Sequence, residues 1–244
     1  MKMEKDEGLI RPLKGKSEPQ IGPDAIMTMI PSDLENLVHL CDRRKITPFD
    51  LSFFTLYQVE RNGVRFSISG PFLGSPQAVM GLEKLIVLGA NRIWVSGWCG
   101  SLMSDLRIGD LVVPSGALSE EGTSKHYPIG RKAVKTDEGL TGMIEKCLIK
   151  RGLKYRKGEI WTTDAPYRET PEKIKKYRDI GVLAVDMEMS ALITVSIYRG
   201  IPLTGLLVIS DELFDLKWRP GFSNPELDKS SKWAGEVLLE TVSG

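Results

Sequence analysis

The sequence predicts one α/β domain, a three-layer sandwich in which helices flank a central, mixed and twisted β-sheet. Short β-type runs alternate with amphipathic helical segments, which is typical of helices packed on a sheet. Residues 203–210 form a nearly continuous apolar run, as expected of a strand that is buried on both faces. No linker rich in Pro, Ser or Gly divides the 244 residues, so we expect a single core.

The charge balance narrows the classes of partner. The chain has 33 Lys and Arg against 32 Asp and Glu, a net charge of +1, which supplies no cationic field for nucleic acid. Its apolar runs are shorter than the roughly 20 residues that a membrane-spanning helix needs, and its start lacks the apolar core of a secretory signal. We therefore expect a cytoplasmic protein that acts on a small molecule, without nucleic-acid or membrane partners.

The cysteines argue against a disulfide framework or a metal site. Cys41, Cys99 and Cys147 are odd in number and widely spaced, and only His39 and His126 offer ring nitrogens. A zinc site usually needs closely spaced Cys or His pairs. We expect no metal.

The first half of the chain predicts an arm, a strand, a helix and a hairpin. Residues 1–24 are charged and contain Gly and Pro, which predicts a flexible arm before a domain at 25–244. An apolar run at 25–30 predicts a strand, and residues 31–33 are expected to cap a helix at 34–41. Strands at 53–60 and 64–69 flank Asn62-Gly63, which favours a tight hairpin turn.

The second half repeats strands and helices. A helix at 78–88 ends at Gly89, and strands at 92–96 and 110–114 flank a glycine-rich turn at 97–100. The remaining predicted elements are helices at 136–151, from Pro171, at 186–198 and at 225–241, and strands at 158–162, 182–185 and 203–210.

In such folds ligands bind beyond the carboxyl ends of the strands, and Asp211 directly follows the most apolar strand. Burial there raises a carboxyl pKa, which would let Asp211 keep a proton at neutral pH and act as a general acid. The alternative is that Asp211 only caps a turn.

A second strand end carries Asp186, Met187 and Glu188. Two carboxylates two residues apart point to different sides of the chain, so we expect one of them to face the crevice. A carboxylate there accepts hydrogen bonds from two sugar hydroxyls, and a methionine offers an apolar face to the sugar. An acidic first helical turn that matches the helix dipole explains the pattern equally well.

Two further loops carry weaker signals. The glycines in residues 96–101 allow backbone amides to approach an anion closely. Residues 162–167 offer polar groups and the ring of Tyr167 to a flat heterocycle, although plain packing is also typical of such a tyrosine.

Several ordered segments together carry a family resemblance over roughly residues 25–242. They are Gly74-Ser75-Pro76, residues 82–89, Gly97-Trp98-Cys99-Gly100-Ser101-Leu102, Ile108 to Pro114, Glu121 to Tyr127, Asp186 to Leu192, and Val208-Ile209-Ser210-Asp211. In order and spacing they resemble the purine nucleoside and uridine phosphorylase family. The resemblance implies a mixed sheet flanked by helices, assembly into homo-oligomers such as dimers or trimers of dimers, and cleavage of a nucleoside N-glycosidic bond.

The resemblance also implies residue roles. Asp211 would protonate the departing base, which favours a purine because uridine phosphorylases lack this residue. An ionised Glu188 would hold the ribose hydroxyls, and Met187 would line the sugar. The residues expected around the base are Tyr167, Asp164 and Ser210. Arg219 either helps to keep Asp211 productive or is an ordinary surface arginine. No cofactor is implied beyond phosphate as a co-substrate.

The sequence departs from the family at the phosphate site. Arginines of the family are replaced at Asn36 and Val95, a third aligns near Ser52, and Trp98 replaces a Ser or Thr. A phosphate dianion needs several charge-assisted donors, whereas an indole supplies one neutral N–H. The residues left to form a phosphate or water pocket are Ser32, Asp33, Gly97, Trp98 and Cys99.

Three functions therefore stay open. The family default is phosphorolysis, with phosphate held by backbone amides at 97–100 and by a cation such as Arg65 or Lys125. The second is hydrolysis, with Asp33 or Glu35 as the base that activates water. The third is a nucleoside-binding protein without catalysis, which would have no need for both Glu188 and Asp211.

Overall fold

The computed structural model describes residues 8–244, which form a ten-stranded mixed sheet with six α-helices. The strands are β1 (Asp24–Thr28), β2 (Ile46–Asp50), β3 (Thr55–Arg61), β4 (Val64–Gly70), β5 (Arg92–Ser101), β6 (Leu111–Ser119), β7 (Tyr155–Thr162), β8 (Ala184–Asp186), β9 (Leu203–Glu212) and β10 (Arg219–Pro220). The helices are α1 (Pro31–His39), α2 (Gly74–Leu88), α3 (Glu138–Lys150), α4 (Pro171–Asp179), α5 (Met189–Arg199) and α6 (Pro225–Ser243). Short 3₁₀ turns cover Arg43–Lys45, Thr123–His126 and Pro166–Arg168.

The sheet runs in the order β10-β9-β6-β7-β8-β5-β1-β4-β3-β2, with an additional pairing between β5 and β9. That pairing joins β9, β6, β7, β8 and β5 into a closed ring, while β1, β4, β3 and β2 continue as an open sheet. Parallel and antiparallel pairs both occur. The predicted central mixed sheet is confirmed.

Helices cover both faces of the sheet. One apolar cluster includes Leu82 and Leu85 of α2 together with Ile193 of α5. A second includes Leu37 of α1, and with it residues of α3 and α6. Helices α1 and α3 both contact α6, and α2 contacts α5. The sheet is therefore a layer between two groups of helices, as the sequence predicts.

The hairpin is confirmed where local turn chemistry predicts it. Asn62 and Gly63 both have positive φ angles, +52° and +78°, and they join β3 to β4 in antiparallel register. Strand β2 was not predicted. It pairs with β3 at the edge of the sheet, where Pro48 costs little because an edge strand leaves some of its N–H groups unpaired.

Two local predictions are wrong. Residues 97–100 do not form a turn, because β5 continues through them and pairs with β9 in parallel register, with a shift between Cys99 and Gly100. The backbone amides proposed for anion binding thus lie within the sheet. Helix α1 begins at Pro31, a residue suited to the first helical position, and Ile30 precedes it without a side-chain cap. Ser32 and Asp33 are therefore helical residues and do not cap α1.

The predicted N-terminal arm is described only in part, since residues 1–7 lie outside the described residues. Near the sheet the chain is packed: Ile21 is buried, and its N–H donates to the carbonyl of Leu88 at 2.9 Å. Within residues 8–244, no helix is long and apolar enough to cross a membrane.

Candidate functional site

A cavity of about 430 Å³ opens where β1, β5, β8 and β9 end. Its walls carry four carboxyl side chains, those of Glu169, Asp186, Glu188 and Asp211. Aromatic rings form much of the remaining wall; they belong to Phe72, Trp98, Tyr167, Trp218 and Phe222. No Lys, Arg or His is found among the described residues that line the cavity. The site is thus rich in acid groups and apolar rings.

Asp211 projects into the cavity near the end of β9. The hydroxyl of Ser210 donates to its Oδ1 at 2.6 Å, and the indole Nε1 of Trp218 donates to its Oδ2 at 3.0 Å. Burial raises the pKa of Asp211 above its ordinary value, although these two hydrogen bonds oppose the shift. Gly100 leaves room for the group, since a Cβ there would lie 3.0 Å from Asp211 Oδ2. Asp211 is therefore held in place by two neutral donors.

Glu188 lies between β8 and α5, and its side chain reaches the start of α2. The N–H of Gly74 donates to Glu188 Oε1 at 2.6 Å. Burial, followed by the nearby charge of Asp186, raises the pKa of Glu188 to about 8. This shift favours the protonated form of Glu188 at neutral pH, whereas the resemblance implies an ionised one. Sugar hydroxyls that donate to this group would favour the carboxylate.

Asp186 fixes the beginning of α5. Its Oδ2 accepts the N–H groups of Glu188 at 3.0 Å and Met189 at 2.7 Å, and its Oδ1 accepts the hydroxyl of Thr162 at 2.5 Å. Asp186 thus binds the first N–H groups of α5 from a position before the helix, while the first turn itself contains no acidic residue. Asp186 and Glu188 are both among the cavity-lining residues, but both carboxyl oxygens of Asp186 are occupied by Thr162 and by the N–H groups of Glu188 and Met189. That only one of the two carboxylates serves the cavity stays a prediction.

Glu169 is a cavity residue that sequence reasoning missed. It follows the 3₁₀ turn Pro166–Arg168, and burial together with the charge of Asp211 raises its pKa to about 7. Its position just beyond the loop at 162–167 was the available signal. Nothing in the sequence places Glu169 near Asp211, because the two residues belong to separate segments.

Only some of the residues predicted to bind the base line the cavity. Ser210 and Tyr167 line the cavity, as does Met187, which was predicted to line the sugar. The Tyr167 side chain lies at the open mouth, with 97% of its surface exposed. Asp164 does not line the cavity; its Oδ2 accepts the N–H of Gly122 at 2.8 Å. Arg219 is paired with Asp215, and Trp218 takes the place beside Asp211.

Likewise, only some of the residues predicted for a phosphate or water pocket line the cavity. Trp98 and Cys99 line the cavity, whereas Ser32, Asp33 and Gly97 do not. Arg65 and Lys125, the cations considered for phosphate, and Glu35, considered as a base, are also absent from the lining. Cys99 is buried, which raises the pKa of its thiol well above the ordinary value, so the thiol stays neutral.

Trp98 and Asp33 form a cluster with Ser231 behind the cavity wall. The indole Nε1 of Trp98 donates to Ser231 Oγ at 2.9 Å, and its ring stacks on Phe222 with centroids 6.1 Å apart. Asp33 is 4% exposed, and its Oδ1 has no hydrogen-bond partner among the described residues. Burial raises the pKa of Asp33 to about 7, with Ser231 and Trp98 opposing the shift. An aromatic ring and an acid group thus occupy this side of the site.

Proteins of known function are similar to this chain in sequence. A guanosine phosphorylase of Halorubrum lacusprofundi is 26% identical over 209 residues, which cover 85% of this chain and 86% of that protein. A DeoD-type purine nucleoside phosphorylase of Bacillus cereus is 29% identical over 154 residues, covering 62% of this chain and 66% of the relative.

Solved structures agree in fold. A uridine phosphorylase of Vibrio fischeri superposes with a TM-score of 0.82 at 24% identity, covering 91% of this chain and 92% of that one. A purine nucleoside phosphorylase of Toxoplasma gondii, in complex with immucillin-H, gives 0.84 at 20% identity, covering 92% and 91%. The sequence profile described as "Phosphorylase superfamily" matches residues 23–240. The chain therefore belongs to the phosphorylase superfamily, as its motifs indicated.

Proposed function

We propose that the protein cleaves the N-glycosidic bond of a purine nucleoside. The observation that carries this proposal is that Asp211 and Glu188, which lie far apart in sequence, open into the same cavity. The cavity also contains aromatic rings for a flat base and the apolar side chain of Met187 for a sugar. Purine relatives such as the guanosine phosphorylase support the choice of base.

The reaction uses the two acids differently. As the glycosidic bond breaks, the sugar becomes cationic and the base must leave without a full negative charge. A protonated Asp211 donates its proton to the departing base, a step that typically contributes about 10²- to 10⁴-fold. The Gly74 N–H holds Oε1 of Glu188 and leaves Oε2 to accept hydrogen bonds from the ribose hydroxyls.

The acceptor of the sugar is phosphate in the named relatives, and hydrolysis by water is the second candidate. The lining of the cavity favours water, because its described residues include no cationic side chain and its four carboxyl groups would repel a phosphate whenever they are ionised. A phosphate dianion loses its hydration on binding and needs charged donors in return. Phosphorolysis would require a cation from a neighbouring subunit of the predicted homo-oligomer.

Turnover of guanosine, inosine, adenosine and uridine with and without inorganic phosphate tests the proposal, with base and sugar products separated by chromatography. We expect release of a purine base and little action on uridine. A rate that does not depend on phosphate would identify water as the acceptor of the sugar. A strict requirement for phosphate, with formation of a sugar phosphate, would establish phosphorolysis instead. Release of no base from any of the four would contradict the proposal.

Asp211→Asn gives the matched control for this assay. The amide keeps the size of the side chain but has no acidic proton, so we expect turnover to fall by about a hundredfold or more. Circular dichroism and thermal unfolding report whether the fold is retained. A near-normal rate in a folded Asp211→Asn protein would reject the role of Asp211 as the acid.

A further inference from the structure

The segment between β9 and β10 brings an indole to the proposed acid. Trp218 lies seven residues after Asp211, and its side chain is 61% exposed. Its Nε1 nevertheless points inward and donates to Asp211 Oδ2 at 3.0 Å. Water would satisfy this N–H equally well, so the inward orientation reflects how the segment is held.

Two polar contacts fix the course of this segment. Arg219 forms an ion pair with Asp215, which closes the stretch of chain that carries Trp218. Arg178, from the end of α4, donates from Nη1 to the carbonyl of Phe214 at 2.9 Å. The segment is thus tied both to itself and to a neighbouring helix.

Aromatic packing holds the indole from the other side. The ring of Trp218 lies 6.2 Å from that of Phe222, between centroids, and Phe222 stacks on Trp98 at 6.1 Å. Trp98 is anchored to Ser231 of α6. A row of three rings therefore connects α6 to the carboxyl group of Asp211.

We propose that Trp218 is a positioning residue for Asp211, holding the carboxyl group by a neutral donor so that its proton points toward the base. This inference rests on the proposed function. Trp218 binds Oδ2 while Ser210 binds Oδ1, so the two donors fix the plane of the carboxyl group. A cation in the place of Trp218 would favour the carboxylate and oppose proton donation, whereas an indole carries no charge.

The charged groups around Asp211 agree with this role. Glu169 is the nearby titratable group in the cavity, and Cys99 of β5 stays a neutral thiol. On β9 the adjacent Glu212 is paired with Arg107, and on β10 Arg219 is paired with Asp215. The two cations among these groups, Arg107 and Arg219, are each paired with an acid. The proton affinity of Asp211 therefore depends on its burial and on the two neutral donors.

Kinetics of Trp218→Phe test the proposal, with Trp233→Phe as the matched control. Trp233 lies on α6 outside the cavity lining, with Lys229 against its ring. Loss of the Trp218 hydrogen bond should lower kcat by about tenfold, with a smaller effect on KM. It should also move the alkaline limb of kcat to higher pH, because the lost donor had favoured the carboxylate. Trp218→Arg should move that limb to lower pH.

A second measurement does not require turnover. The protein has five tryptophans, and the indole ¹⁵N–¹H signal of Trp218 is the one that disappears in Trp218→Phe. We expect this signal to shift with pH in a step that Asp211→Asn abolishes. The same step should remain in Trp233→Phe.

The outcomes separate this inference from the proposed function. A Trp218 signal that does not respond to pH, or that responds equally in Asp211→Asn, would overturn the inference even in an active enzyme. Kinetics of Trp218→Phe that match those of Trp233→Phe would also overturn it. If no nucleoside is cleaved, the proposed function fails, and the pH step of the indole alone decides whether Trp218 holds Asp211.

Discussion

Glu188→Gln should reduce the loss of stability that this protein undergoes as pH rises. Glu188 is 7% exposed, and burial together with Asp186 raises its pKa from 4.5 to about 8. The folded state therefore binds this proton more tightly than the unfolded state. The resulting stability is fully present below about pH 4.5 and is lost as pH rises through about 8. Glutamine is neutral at every pH, so Glu188→Gln lacks this pH-dependent contribution to stability.

The expected size of this effect on the free energy of unfolding follows from how far the pKa of Glu188 is raised. A pKa difference of one between the folded and unfolded states corresponds to about 1.4 kcal/mol, so the change from 4.5 to about 8 acting alone would approach about 5 kcal/mol. Asp186, whose pKa burial raises to about 6, lies beside Glu188 and carries part of the effect. We therefore expect the change in the free energy of unfolding between pH 5 and 8.5 to differ by about 2–5 kcal/mol between the two proteins. Urea unfolding at several pH values in this range measures the free energy of unfolding of each protein.

Glu121 provides a control with the opposite sign. It is also fully buried, but hydrogen bonds from Ser119, Ser124 and Ser190 outweigh burial and lower its pKa. Its stabilising effect is present above the ordinary glutamate pKa and is lost as pH falls. Glu121→Gln should therefore destabilise the protein at neutral pH. If the free energy of unfolding depends on pH in the same way in the wild type and in Glu188→Gln, the reasoning about Glu188 is refuted.

Three further substitutions test close contacts. In Gly100→Ala the new Cβ would lie 3.0 Å from Asp211 Oδ2 and 3.0 Å from Leu213 Cδ1. Displacement of the acid should lower kcat by about ten- to a hundredfold, with some loss of thermal stability; an unchanged kcat would contradict this contact. In Gly81→Ala the Cβ would clash with the ring of Phe72, and urea unfolding should show a loss of about 1–3 kcal/mol in the free energy of unfolding; unchanged stability would show that the ring moves aside at no cost. Asn224→Ala removes the side-chain cap of α6 and should cost about 1 kcal/mol in the same assay; equal stability would show that the cap contributes nothing.

The sequence correctly predicted a turn and a helix end whose conformation is set by neighbouring residues. The Asn62-Gly63 turn sets its own positive φ angles and thereby joins β3 to β4. Gly89 ends α2 as predicted. In both places the residues that decide the conformation lie within a few positions of one another, so a single window of sequence contains the information.

Predictions failed where distant strands decide the conformation. The glycines at 97–100 read as a turn in isolation, but β9 pairs with this stretch and holds it extended. Strand β2 likewise depends on its pairing with β3, which no local pattern announces. Hydrogen bonds between segments that are distant in the chain override weak local preferences.

The sequence by itself determined the family, the mixed α/β architecture and the placement of Asp211 and Glu188 at strand ends, because alternating patterns and ordered motifs are properties of the chain. The tertiary structure alone decided that Glu169 lines the same cavity as Asp211, that Trp218 and not Arg219 binds Asp211, and that Glu188 lies against Gly74. Hydrogen bonds act over about 3 Å, and burial depends on all surrounding segments. Protonation in this cavity is therefore a property of the folded protein.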